Sequence, residues 1–144
     1  MMQATECLPM IPPGIENAVA MPWVPLAQGF SFKLLRATSD DEPWVELLRL
    51  EPGTVIPRHR HTGDVHAYTL AGYRELTEIA TMVGPGSYVY EPVGNVDSWR
   101  ATGHQPVIVF VVLRGAIEYL DHKDRVIQRS TATSSAARYH RGCR

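Results

Sequence analysis

Turn signals stop this chain at short, regular intervals, and that spacing constrains the fold more than any other feature. Ser39-Asp40-Asp41-Glu42-Pro43, Pro52-Gly53, Thr62-Gly63-Asp64, Gly72, Gly84-Pro85-Gly86 and Asp121-His122-Lys123-Asp124 each break the pattern, and the candidate strands beside them run four to nine residues. Segments this short, rich in β-branched and aromatic residues, read as strands rather than helices. Phe30–Arg36, Trp44–Leu50, Val65–Leu70, Arg74–Met82, Ser87–Glu91, Ile117–Leu120 and Arg125–Gln128 are predicted strands. Val107–Leu113 is unbroken by any polar residue and reads as a strand buried on both faces. Many short strands in succession predict an all-β sandwich or barrel. The one predicted helix is Ser130–Tyr139, with Ser130 or Thr131 as its cap and several alanines favouring it. The expected organisation is an extended arm over 1–22, a barrel over 23–129, and a helix with a tail over 130–144.

Charge and composition exclude several classes of function. A formal net charge of −1, with 20% charged residues, gives no electrostatic footprint for nucleic acid or an anionic membrane. No apolar run reaches the length of a membrane-spanning helix, and the first residues lack the basic segment of a secretory leader. The expected location is the cytoplasm. Cys7 and Cys143 lie near opposite ends without zinc or redox spacing, and read as two free thiols, with a disulfide between them as the alternative. No nucleophile elbow, phosphate loop or Ser-His-Asp order is present.

The chemistry is concentrated in Arg58-His59-Arg60-His61 and His66. Residues two apart on a strand share a face, so His59 and His61 project together while Arg58 and Arg60 point away. Two imidazoles so placed suit one metal ion. After the turn at Thr62-Gly63-Asp64, His66 is placed to face the same cavity from the neighbouring strand.

The stretch from Gly53 to Gly72, with its His-x-His at His59 and His61, resembles the first motif of the cupins. Gly86-Ser-Tyr-Val-Tyr-Glu-Pro92-Val-Gly94-Asn-Val-Asp97 resembles the second, and begins 14 positions after Gly72. Within that superfamily the wording Arg58-His-Arg-His-Thr-Gly63 and Gly86-Ser-Tyr-Val-Tyr-Glu-Pro92 is similar to the 2,4'-dihydroxyacetophenone dioxygenases. Acetylacetone dioxygenases and ChrR-type cupin domains resemble it more distantly. The resemblance implies a double-stranded β-helix (a jelly-roll barrel) with a short C-terminal helix. It implies one divalent metal ion, Fe(II) first, with zinc, nickel and manganese as alternatives. It further implies a small carbonyl substrate, dioxygen as oxidant, and a homodimer.

One departure bears on the site. Asp97 stands where the second motif carries a histidine. Either Asp97 is a ligand, giving a two-histidine, one-carboxylate set that suits non-haem Fe(II), or it faces the cavity without binding. Glu78 is expected as a further ligand, His66 as a ligand or a supporting residue, and His104 as a substitute for the missing histidine. Tyr68, Tyr90 and Trp99 are the expected substrate-pocket residues. Arg58, Arg60 and Arg100 read as surface charges, with steering of an anionic substrate as the alternative; His122 and His140 read as surface residues.

Overall fold

A computed structural model of the chain describes residues 14, 15 and 17–144. Most of the expected N-terminal arm therefore lies outside the described residues. Two six-stranded antiparallel sheets make up the body of the protein. The first runs in the order β1 (Val24–Ala27), β2 (Phe30–Arg36), β3 (Trp44–Leu50), β10 (Val107–Leu113), β5 (Val65–Ala71), β8 (Tyr88–Glu91). The second runs β12 (Val126–Ser130), β11 (Ile117–Leu120), β4 (Val55–His61), β9 (Val96–Thr102), β6 (Tyr73–Leu76), β7 (Thr81–Val83).

Period-two burial explains how the sheets close on one core. Trp44, Leu48 and Leu50 of β3, Val107, Val109 and Val111 of β10, and Ile56 and Trp99 of β4 and β9 all turn inward. Each fully buried side chain of this kind contributes about 1.5–3 kcal/mol. Trp44 also satisfies its indole by donating from Nε1 to the Gly115 carbonyl at 3.2 Å.

The strands depart from expectation at two places. The run Val107–Leu113 alternates between buried and half-buried positions, because the outer face of β10 is not covered by a second layer. Arg74–Met82 is not one strand: the chain reverses through a 3-10 turn at Thr77–Ile79, with Ala80 in the left-handed region at φ 50°. All the turn residues are exposed. No glycine, proline or asparagine marks this reversal, so nothing in the local sequence announces it.

The helix α1 spans Ala132–Gly142, with Thr131 accepting from the Ser134 N–H and the Ser134 hydroxyl returning a bond to the Thr131 N–H. Tyr139 anchors it. Its ring packs edge-on against Phe32 at 5.2 Å and its hydroxyl donates to the Pro22 carbonyl at 2.7 Å. Cys143 is disulfide-bonded, contrary to the expected free thiol, and Cys7, the other cysteine of the chain, lies outside the described residues. No helix among the described residues is long and apolar enough to cross a membrane.

Candidate functional site

Strand β4 owes its inward histidines to an irregularity. Ile56 pairs with Trp99 and His59 pairs with Asp97 across β9, so three steps along β4 match two along β9. Pro57 sits in that bulge; it has no N–H to give the ladder, and an extra residue there does not break a bond the strand would otherwise make. The bulge lets Ile56, His59 and His61 all face inward, with both histidines 4% exposed. It also leaves the Pro57 carbonyl 2.7 Å from His59 Nδ1. A carbonyl only accepts, so Nδ1 carries the proton and Nε2 keeps a lone pair.

The two imidazoles stand edge to face with ring centroids 4.9 Å apart. Burial lowers the pKa of both, His61 down to about 3, with the neighbouring His59 a smaller contribution. His61 is therefore neutral, and its Nε2, 3.6 Å from Glu91 Oε2, makes a contact rather than a salt bridge. His61 Nδ1 is buried with no hydrogen-bond partner among the described residues.

Around the pair lies a cluster of compensating charges. Arg74 of β6 is buried beneath the barrel wall, its guanidinium stacked on Trp99 at 4.5 Å, with Nε and Nη2 lacking hydrogen-bond partners. Burial lowers its pKa, and Asp97 and Glu91 oppose that. Glu91 accepts from Asn95 Nδ2 at 2.8 Å; burial raises its carboxyl, while Asn95 and Arg74 hold it down. Asp97 is 7% exposed and is pushed up to about 7, by burial first and by Glu91 second, against the pull of Arg74.

These groups border a cavity of about 390 Å³ between the sheets. His59, His61, Glu91, Arg74 and Trp99 line it together with apolar side chains of β2, β3, β5 and β10; residues of β12 and α1 complete the wall. Asp97 is opposite His59 in the ladder but is not itself part of that wall.

The remaining expected site residues lie elsewhere. Glu78 is exposed on the 3-10 turn and accepts from the Ser98 hydroxyl at 3.0 Å, although its charge reaches His59 and Asp97. His66 is on the outer face of β5, because Val65, Ala67 and Thr69 take the inward positions. There it meets Tyr88, with Nδ1 2.5 Å from the hydroxyl, and Tyr90 at 5.3 Å between ring centroids. Tyr68 and Tyr90 are exposed on the same outer face, and His104 is exposed in the loop after β9. Trp99 does line the cavity. Arg58, Arg60 and Arg100 are engaged with Asp124, Glu118 and Glu75. Among the described residues no three His, Cys, Asp or Glu side chains form a ready-made metal cluster.

Sequence reasoning missed Arg74, Glu46 and Tyr119 and gave Glu91 no role in the site; all four line the cavity. For Glu46 a signal existed: Trp44, Leu48 and Leu50 share its parity on β3, so alternation places it inward.

Two antiparallel sheets closed around a cavity, with an inward His-x-His on one strand, define a cupin. The chain belongs to the family of ChrR cupin-like domains, whose match covers residues 15–118. An RmlC-like cupin protein from Ralstonia eutropha is 29% identical, with a TM-score of 0.84 over 90% of this chain and 86% of that one. The acetylacetone dioxygenase of Acinetobacter johnsonii has the same fold at 16% identity, with a TM-score of 0.76 over 83% and 86% of the two chains. The complex of Rhodobacter sphaeroides SigE with the anti-sigma ChrR matches at 20% identity and a TM-score of 0.57, over 64% of this chain and 49% of that one. No curated protein matches the sequence.

Proposed function

We propose that the protein is a mononuclear metal-dependent cupin, a non-haem iron dioxygenase that cleaves a carbon–carbon bond next to a carbonyl in a small aryl ketone or β-diketone. One observation carries this reading: two neutral imidazoles, each with an unused nitrogen lone pair, lie side by side on the wall of a largely apolar cavity. His61 Nδ1 is an orphaned buried polar atom, and the tautomer of His59 frees Nε2. Both features fit an ion held by His59 and His61, and Asp97, directly across the ladder from His59, is the carboxylate this reading assigns as a further ligand. Glu78 and Glu91 are the other carboxylates whose charge is felt at this end of the barrel.

A bound ion would supply Lewis acidity and one-electron chemistry toward dioxygen. The chain supplies the rest. Pro57 fixes the ring orientation of His59. Arg74 balances Asp97 and Glu91, keeping two neighbouring carboxyls from repelling each other out of place. Trp99, Val109 and Leu113 keep the site dry and give a flat organic substrate apolar surface.

The test is oxygen uptake by protein prepared anaerobically with Fe(II), offered 2,4-pentanedione and a panel of aryl ketones. Uptake with at least one of these is expected, and none across the panel would reject the oxygenase. The alanine variant of His61 is expected to lose bound iron, a fall of about 10-fold to 100-fold or more in metal affinity, measured by elemental analysis. A second reading, a ligand- or metal-binding sensor module without turnover, is favoured by the match to ChrR cupin-like domains and by Asp97 in the histidine position. Metal binding without oxygen uptake would select it. Retention of zinc or manganese in place of iron would select a cupin isomerase or lyase. The exposed Tyr68, Tyr88 and Tyr90 on the outer sheet face suit a second copy of the chain, and the sedimentation of the purified protein tests that homodimer.

A further inference from the structure

Among the described residues Glu46 is the one cavity carboxyl with no compensating partner. It projects inward from β3, is 5% exposed, and makes no hydrogen bond or ion pair with any of them. Its ladder neighbours, Leu34 on β2 and Val111 on β10, are apolar. Across the cavity stands Tyr119 of β11, paired in register with His59 and with its ring 5.6 Å from the His59 ring. Tyr119 feels the charge of Glu46 on one side and of Arg138 from α1 on the other. Glu46 and the histidine pair therefore flank the same tyrosine and border the same hollow, on opposite sheets.

A buried carboxyl without partners is costly and is seldom kept in a core without a task. We propose that Glu46 is the proton-transfer residue of this cavity, acting as general base on the carbon next to the carbonyl of a bound ketone or β-diketone. This rests on the carbonyl-substrate reading given above. In the step, the carboxylate of Glu46 takes the proton, the C–H bond breaks, and its electron pair passes to the carbonyl oxygen as an enolate. Glu46 becomes a carboxylic acid and returns the proton in the reverse direction. No oxidant is consumed. Burial raises its carboxyl to about 8, which places it close to neutral pH, where a base both exists in part as carboxylate and holds a proton firmly.

The test uses the full chain loaded with Fe(II) under strict exclusion of oxygen, with 2-hydroxyacetophenone in deuterated water. Exchange at the carbon next to the carbonyl is followed by proton NMR against a protein-free control. The wild type is expected to accelerate exchange, with the rate climbing as pH rises through about 8. Glu46→Gln, similar in size and uncharged, is expected to lower the rate about 100-fold or more, at equal iron content and with an intact thermal transition. Glu46→Asp, which keeps the carboxyl, is expected to recover part of it. Exchange equal to the protein-free control in the wild type, or an unchanged rate in Glu46→Gln, overturns the proposal. Oxygen uptake is scored separately. Glu46-dependent exchange without uptake would reject the dioxygenase and keep the base, and uptake with exchange indifferent to Glu46 would do the reverse.

Discussion

The two ends of the cavity surround their buried carboxyls with different neighbours. Around the histidines, Arg74 sits among Asp97, Glu91 and Trp99, and each group's cost is partly offset by another. At Glu46 no group among the described residues offsets burial, and the carboxyl answers by holding its proton. Burial raises the carboxyls at both ends, and only at the histidine end does a buried cation oppose it.

The strongest challenge to this contrast is removal of Arg74. Arg74→Ala leaves Asp97 and Glu91 facing each other without a cation, and a loss of about 3 kcal/mol is expected, measured from the denaturant midpoint. A loss under about 1 kcal/mol would mean that the two carboxyls are already neutral and never needed the cation. The Glu46 end should respond to pH instead. The folded protein keeps this proton up to about pH 8, whereas the unfolded chain releases it near the ordinary carboxyl value of 4.5. Folded molecules thus bind more protons across that window, and stability should fall as pH rises through it, by up to about 1.4 kcal/mol per pH unit from this group. Asp97 and Glu91 are raised as well and add the same sign. The difference between wild type and Glu46→Gln isolates Glu46: the variant should gain on the wild type steadily up to pH 8. Parallel stability curves would show that Glu46 is charged and solvated after all. The smallest effect is expected outside the barrel. His66→Ala should change stability by no more than about 0.5 kcal/mol and leave iron content untouched, since among the described residues His66 meets Tyr88 and Tyr90 on an open face and lies near Asp64. Loss of iron in that variant would place His66 in the site.

Those contrasts also show what a linear reading can and cannot see. Strands β2, β3 and β10 were legible to the residue, because alternation and turn signals agree there. His59 and His61 were legible as a pair from their spacing, and Trp99 from its place beside the second motif. His66 was misplaced because the turn at Thr62-Gly63-Asp64 preserves the parity of β4: positions 59, 61, 65 and 67 face in, and 66 cannot. Gly63 is required at that turn, since any side chain there would strike the Arg114 carbonyl. Arg74 and Glu91 escaped notice because a single charged residue in a strand looks solvated until its opposite number, distant in sequence, is known. Glu78 was put on a strand because nothing local marks the reversal at Thr77–Ala80.

The bulge at Pro57 carries a consequence of its own. One supernumerary residue there sets which way two imidazoles look, so the chemistry of the barrel is written in a count as much as in a composition. A strict alternation from Ile56 would carry His59 and His61 to the outer face, and deleting Arg58 would restore that alternation with the pair still inward.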